Sequence, residues 1–251
     1  GRSSQANKGG VAIGRASTGT GDNSVALGIA TNATAVKSVA IGSDSRATAD
    51  FAIAQGGFAN ATAANATAIG GFANANQSSA LAMGNAATAN GVSAVAIGPS
   101  ANVQREQGIA IGNGATVTAT SNQGIAFGTA ASSNAGNSTA IGTLANAKAD
   151  ASIAIGRKAV VEREKGIAIG ENATATTNST QAIAIGVSSV SNGTNSTAIG
   201  TNARGGYIDS VALGTDANAS NFQAISIGKN SVNGAIAGVA RSAQEALELV
   251  K

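Results

Sequence analysis

Two residue types that carry much of protein chemistry are missing from this 251-residue chain: it has no Cys and no His. Without Cys there is no disulfide framework, thiolate zinc site or cysteine nucleophile. Without His there is no Ser-His-Asp triad, no imidazole ligand and no side chain that ordinarily titrates near neutral pH. No cofactor and no catalytic residue is therefore expected. Charged residues make up 11% of the chain, and the net charge is +3, from 15 Lys+Arg and 12 Asp+Glu. That is too sparse for the basic stripe that binds nucleic acid. The densest charged run, Glu162-Arg163-Glu164-Lys165, alternates in sign, as a solvated turn does. No apolar run reaches the length of a membrane-spanning helix, so no membrane contact is expected of this segment.

What remains is suited to recognition. Two turns break an otherwise bland Ala/Asn/Thr sequence: Gln104-Arg105-Glu106-Gln107 and Glu162-Arg163-Glu164-Lys165. Arg105, Glu106, Arg163 and Lys165 are candidate contact residues, with intersubunit ion pairing or plain solvation as the alternative. The aromatics are scarce and lie mostly outside the repeated block: Phe51, Phe58, Phe72, Phe222 and Tyr207. Phe58 and Phe72 are 14 residues apart and are expected to stack. They are candidates for an exposed hot spot, or they cover a corner of the fold. Asn-x-Ser/Thr triplets such as Asn32-Ala33-Thr34 match a glycosylation sequon, but this composition produces them by chance.

The elements that must position these residues are announced by a repeat. A five-residue block recurs sixteen times, as GVAIG (10–14), SVALG (24–28), SVAIG (38–42) and onward to AISIG (224–228). Its closing glycines are Gly14, Gly28, Gly42, Gly56, Gly70, Gly84, Gly98, Gly112, Gly128, Gly142, Gly156, Gly170, Gly186, Gly200, Gly214 and Gly228. The spacing is 14, except for two 16-residue copies that gain residues near Thr118–Asn122 and Thr176–Thr180. Each block alternates large, small, large, as in Val39-Ala40-Ile41, which is the period of a strand. A weaker alternation of small residues after the glycine, such as Ala59 and Ala61, reads as a second strand. Two strands of about four to five residues and two turns fill a 14-residue coil. The glycine takes a corner where a side chain would be strained or would clash.

The core is thin for this length, because 58 residues are Ala and 34 are Gly. The expectation is that the large pair of each block fills the coil and that Ala faces a neighbouring subunit. From Gly234 onward, Ile236, Val239, Ala243, Leu247 and Val250 recur at helical spacing, which predicts a short C-terminal helix with a coiled-coil seam. Two regions follow: 1–233, a β-roll, and 234–251, a helical exit. The chain begins inside the repeat, as an excised fragment would.

The S-V-A-I-G block, the 14-residue period and the helical exit resemble the YadA-like head of trimeric autotransporter adhesins. The resemblance covers residues 1 to about 233. It implies an all-β, left-handed parallel β-roll assembled as a homotrimer. It implies a non-enzymatic adhesin displayed at the cell surface from the outer membrane of a Gram-negative bacterium. The implied partners are extracellular-matrix proteins (collagen, fibronectin or laminin) or an abiotic surface, with autoagglutination and a part in virulence. In collagen-binding members the N-S-V-A-I-G repeat is itself implicated. Its counterparts here nominate Asn23, Ser24, Asn137, Ser138, Asn195 and Ser196, with Asp209–Gly214 a near match. These residues also have a sufficient role in building the coil. An ice-binding or purely structural solenoid is the alternative function. Ice binding would need a flat Thr ladder, whereas Thr here reads as scattered, as at Thr31, Thr48, Thr62 and Thr88.

Overall fold

A computed structural model describes residues 3–118, 123–176, 180–233 and the backbone of 239–240. The chain divides into two compact units, Gly1–Ala130 and Ala131–Lys251. Each is a parallel β-solenoid, and sixteen three-residue strands mark the turns of the coil. No helix occurs among the described residues.

In each coil a three-residue strand ends just before the glycine, and a two-residue strand follows four residues after it. Val95–Ile97 and Asn102–Val103 are one such pair. Successive coils stack in parallel with strict register. In the first unit Val95, Ala96 and Ile97 oppose Ile109, Ala110 and Ile111. In the second, Ile153, Ala154 and Ile155 oppose Ile167, Ala168 and Ile169. The strands are shorter than the sequence suggested, because two tight turns consume most of the coil. In one turn the Ala59 amide donates to the Gly56 carbonyl at 3.2 Å, and in the other the Ala66 amide donates to Ala63 at 3.1 Å. The third residue of each turn has positive φ, as at Phe58 (59°) and Asn65 (58°), the mark of a type II turn.

The glycine column follows from this stacking. Gly98 has φ +122°, and a Cβ placed there would lie 2.6 Å from the Gly112 carbonyl oxygen in the next coil. Both the backbone conformation and the close approach therefore require glycine.

The interior reverses one expectation. Ala26, Ala40, Ala54 and Ala68, the central residues of their blocks, are fully buried, and so are Ala59 and Ala61 on the facing wall. The large residues on either side point outward: Val11 is 42% exposed, Ile13 62% and Phe127 52%. The coil is too narrow for facing pairs of large side chains, so the small residues fill it and the large ones are excluded. Where a larger residue does enter, its neighbour shrinks. Val103 and Val161 are fully buried five residues before Gly108 and Gly166. A Cβ on Gly108 would sit 2.7 Å from Val103 Cγ1, and one on Gly166 would sit 2.6 Å from Val161 Cγ1. Elsewhere these two positions hold Ala61 with Ala66, or Ser133 with Ser138.

Most interior hydroxyls find partners at the turns, whereas the buried Ser24 Oγ has none. Ser38 Oγ donates to the Ala35 carbonyl at 2.7 Å and Ser45 Oγ to Gly42 at 2.9 Å. Ser133 and Ser138 share a hydrogen bond of 2.6 Å. Satisfying these groups offsets the cost of burying them.

The predicted C-terminal helix falls mostly outside the described residues. Where the backbone is described, Val239–Ala240 is a strand that pairs with Ile225 and Ser226, so the solenoid pattern continues there rather than a helix. The insertions of the two longer coils also lie largely outside the described residues.

The pairing of Val161 with Gly166 can be tested by chemical denaturation. Gly166→Ala alone should destabilise the protein by about 1–3 kcal/mol through overpacking. Adding Val161→Ala recreates the Ala61/Ala66 arrangement and should recover most of that loss.

Candidate functional site

The coil presents three kinds of surface. On one wall, the three-residue strands carry outward Val, Ile, Leu and Met. On the other wall, the residues flanking each buried side chain are mostly polar, as at Asn60 and Thr62, Asn74 and Asn76, and Asn102 and Gln104, with Val160, Val190 and Val232 as exceptions. Between the walls run the turn residues, stacked in columns with a period of one coil.

The nominated serines lie in the interior. Ser24, Ser138 and Ser196 are fully buried. Ser138 Oγ donates to the Ala135 carbonyl and Ser196 Oγ to Gly193, each at 2.6 Å. Ligand contact by these three is therefore precluded; they occupy the position that Ala fills in other coils. Their partners Asn23, Asn137 and Asn195 are exposed and occupy the left-handed turn position, with φ of 56°, 52° and 56°. Asn tolerates that conformation better than most residues, which accounts for its presence there. Asn195 Nδ2 also donates to Asp209 Oδ1 of the next coil at 3.0 Å.

The two charged turns occupy equivalent places, one in each unit. Gln107 and Lys165 hold the positive-φ position, at 56° and 57°. Arg105, Glu106, Arg163 and Lys165 are exposed. Arg105 and Glu106 border a groove of about 230 Å³ together with Gln77, Asn90 and Gln104. Glu162 Oε1 accepts a bond from Lys148 Nζ of the preceding coil at 2.8 Å. Arg157 and Glu171 form a second such pair. Both pairs link residues one coil apart, so they read as register contacts along a column.

The aromatic expectation is met. Phe58 and Phe72 stack with ring centroids 5.1 Å apart and an interplanar angle of 3°. They are 54% and 61% exposed. Both have φ of 59°, a conformation that is rare for a bulky side chain and costs roughly 1–2 kcal/mol. The same turn position holds Ala16, Ala30 and Ala86 in neighbouring coils, so the fold does not require an aromatic there. Phe51 lies on another column, with Lys37 Nζ 5.3 Å from its ring centroid.

Sequence reasoning missed two features. Thr20, Thr34, Thr48 and Thr62 do form a ladder in four successive coils, since Thr18 and Gly19 oppose Asn32 and Ala33 and the register continues. The correction is bounded, because Asn76 and Asn90 replace Thr in the next two coils. The signal was present in the 14-residue phase but required knowing which positions face outward. The second missed feature is Arg46 and Arg204, single arginines on the polar wall, the first between Asn32 and Asn60 and the second between Val190 and Asn218.

The family model for the YadA head domain repeat matches eleven stretches, beginning with 6–29, 20–45 and 33–59 and ending with 178–203 and 208–231. The chain belongs to the YadA head family. The matches run without a break over residues 6–115 and again over 119–159, and residues 116–118, 160–177 and 204–207 lie between matches. Comparison with curated proteins returned no match. The family is one of surface adhesins. Among the described residues no group of three His, Cys, Asp or Glu side chains is placed to hold a metal.

The contributions of the exposed residues to folding should be small. Phe58→Asn should change stability by no more than about 1 kcal/mol, since the lost ring contact is offset by the better left-handed propensity of Asn. Glu162→Gln should likewise cost at most about 1 kcal/mol, and less in high salt. Thermal and urea unfolding of each variant check both values.

Proposed function

We propose that this chain is the head of a homotrimeric bacterial surface adhesin that binds through its turns and polar wall. The observation that carries the reading is the outward apolar ladder. Val11, Ile13, Ile53, Met83, Ile125 and Phe127 in the first unit are each at least 36% exposed, as are Ile141, Ile199 and Ile227 in the second. Within each unit, large apolar residues repeated along one wall form a patch of the kind that marks an association surface. The occupant best matched to a wall with this period is the same wall of another copy, and the family resemblance supports three copies. Association would supply the core that the narrow coil lacks.

Such an assembly leaves the Asn/Thr wall and the turns facing outward, repeated along each copy and threefold around the axis. Many weak contacts then add through multivalency. Display from the outer membrane of a Gram-negative bacterium, a left-handed coil, and binding of collagen, fibronectin, laminin or an abiotic surface are the finer parts of the proposal. A role in virulence or autoagglutination would follow from them. The four-coil Thr ladder favours an ice-binding reading only locally, because it ends at Asn76.

Light scattering should give a mass near three times 23.8 kDa. Ile97→Asp should shift that mass toward the monomer, as a charge on an apolar interface is costly. A wild-type monomer that is fully folded would remove the trimer argument. Solid-phase binding to collagen, fibronectin and laminin then tests adhesion, with the Ile97→Asp variant expected to bind more weakly through lost valency.

A further inference from the structure

The two arginines of the polar wall, one in each unit, mark the same kind of groove. In the first unit a groove of about 300 Å³ is lined by Asp44, Arg46, Phe58, Ala59 and Asn60. In the second a groove of about 440 Å³ is lined by Asn202, Arg204, Asp216, Asn218 and Val232. Apart from Ala59, the residues come from the same two columns in both: the second residue after the glycine, on the turn, and the fourth, on the strand. Each groove therefore joins a guanidinium, a carboxylate and an amide from adjacent coils, and the second reaches a third coil at Val232.

In neither groove do the two charges neutralise each other. Arg46 and Arg204 make no ion pair with any described residue. Each carboxylate is held at one oxygen only by a neutral neighbour. Ser43 Oγ donates to Asp44 Oδ2 at 2.8 Å, and Asn202 Nδ2 donates to Asp216 Oδ1 at 3.0 Å. A guanidinium without an ion-pair partner and a carboxylate with one oxygen uncommitted, on the same open groove, suit a ligand that both donates and accepts. Because one positive and one negative charge face it, neither an anion nor a cation is favoured. The first groove adds Phe58, one face of whose exposed ring is covered by the parallel ring of Phe72 in the next coil and whose other face is free. Both rings stand in a turn position where Ala serves neighbouring coils.

We propose that these grooves bind neutral saccharide chains. Vicinal hydroxyls would donate to the Asp carboxylate and accept from the Arg and Asn side chains, while the C–H face of a sugar ring lies on the free face of Phe58, which Phe72 holds in place by stacking. The two coils supply contacts to successive sugars. The first groove, with its aromatic platform, is the stronger of the two. The inference deepens the adhesive reading and rests on it.

The test uses the intact 251-residue chain and three neutral probes, cellohexaose, chitohexaose and maltohexaose, with heparin and a sialylated oligosaccharide as charged controls. Saturation-transfer NMR and calorimetry read binding. At least one neutral hexasaccharide should bind with Kd near or below about 1 mM. The double variant Phe58→Ala/Phe72→Ala should weaken it by roughly tenfold or more, and Arg46→Ala by a similar factor. Arg204→Ala should remove only a weaker second phase. Circular dichroism confirms that each variant remains folded, and Lys148→Ala, outside both grooves, should bind as wild type does. Binding of none of the three neutral probes, binding of the charged controls alone, or wild-type affinity in the Phe58/Phe72 variant would overturn the proposal. Solid-phase binding to matrix proteins separates the two levels. Retained matrix binding without saccharide binding refutes only the sugar assignment, whereas loss of both refutes the adhesive reading as well.

Discussion

Each coil closes on itself in 14 residues, and the space inside accepts little more than a methyl group from each inward position. That confinement governs the rest of the structure. Two turns take up most of the coil, so only three residues on one wall and two on the other pair with the coils above and below. The parallel hydrogen bonds fix the stack at one register, as where Thr67 donates to the Ala80 carbonyl at 2.8 Å. Inward positions then repeat in columns, and each column has a fixed volume. Valine is admitted at 103 and 161 only because glycine stands at 108 and 166. A hydroxyl is admitted at Ser38 or Ser133 only because a turn carbonyl or a second hydroxyl receives it.

The same confinement explains why the apolar side chains are outside. A strand alternates its faces, so once Ala40 is inside, Val39 and Ile41 must be outside. A solvent-facing wall of Val and Ile would be a liability unless something covers it, and this links the narrow coil to association. The polar wall meets the opposite demand. Its Asn and Thr residues keep the sheet hydrated, and Asn60 Nδ2 donates to Asn74 Oδ1 at 3.3 Å to tie neighbouring coils. Against this uniform background, isolated departures stand out: Arg46, Arg204 and the stacked Phe58 and Phe72. None is needed by the coil, which is why they carry the functional argument.

Fold class, period and glycine column were legible in the sequence, because each is a local property. Type II turns, strand alternation and the glycine requirement all act within a dozen residues, and sixteen repeats amplify them. The 14-residue phase also placed Phe58 on Phe72. The nominated Asn-Ser pairs were half legible. Asn23, Asn137 and Asn195 lie at the surface as a ligand would require, but Ser24, Ser138 and Ser196 face inward. Adjacent residues in one motif were separated by a backbone that turns between them.

Which face of the strand is inside was not decided by pattern alone. Large-small-large alternation specifies two unlike faces, but it does not say which of them the coil encloses. Hydrophobicity favours enclosing Val and Ile, and the sequence reading followed it. The distance between the walls, set by how tightly the turns bring the chain back, leaves room only for Ala. The sequence by itself determined a two-walled parallel solenoid with glycine at its corner. Only the tertiary structure decided that its large residues face outward, and that Arg46 shares a groove with Asp44, Phe58 and Asn60. Those outcomes depend on wall separation and on stacking between coils, and neither is a property of any single repeat.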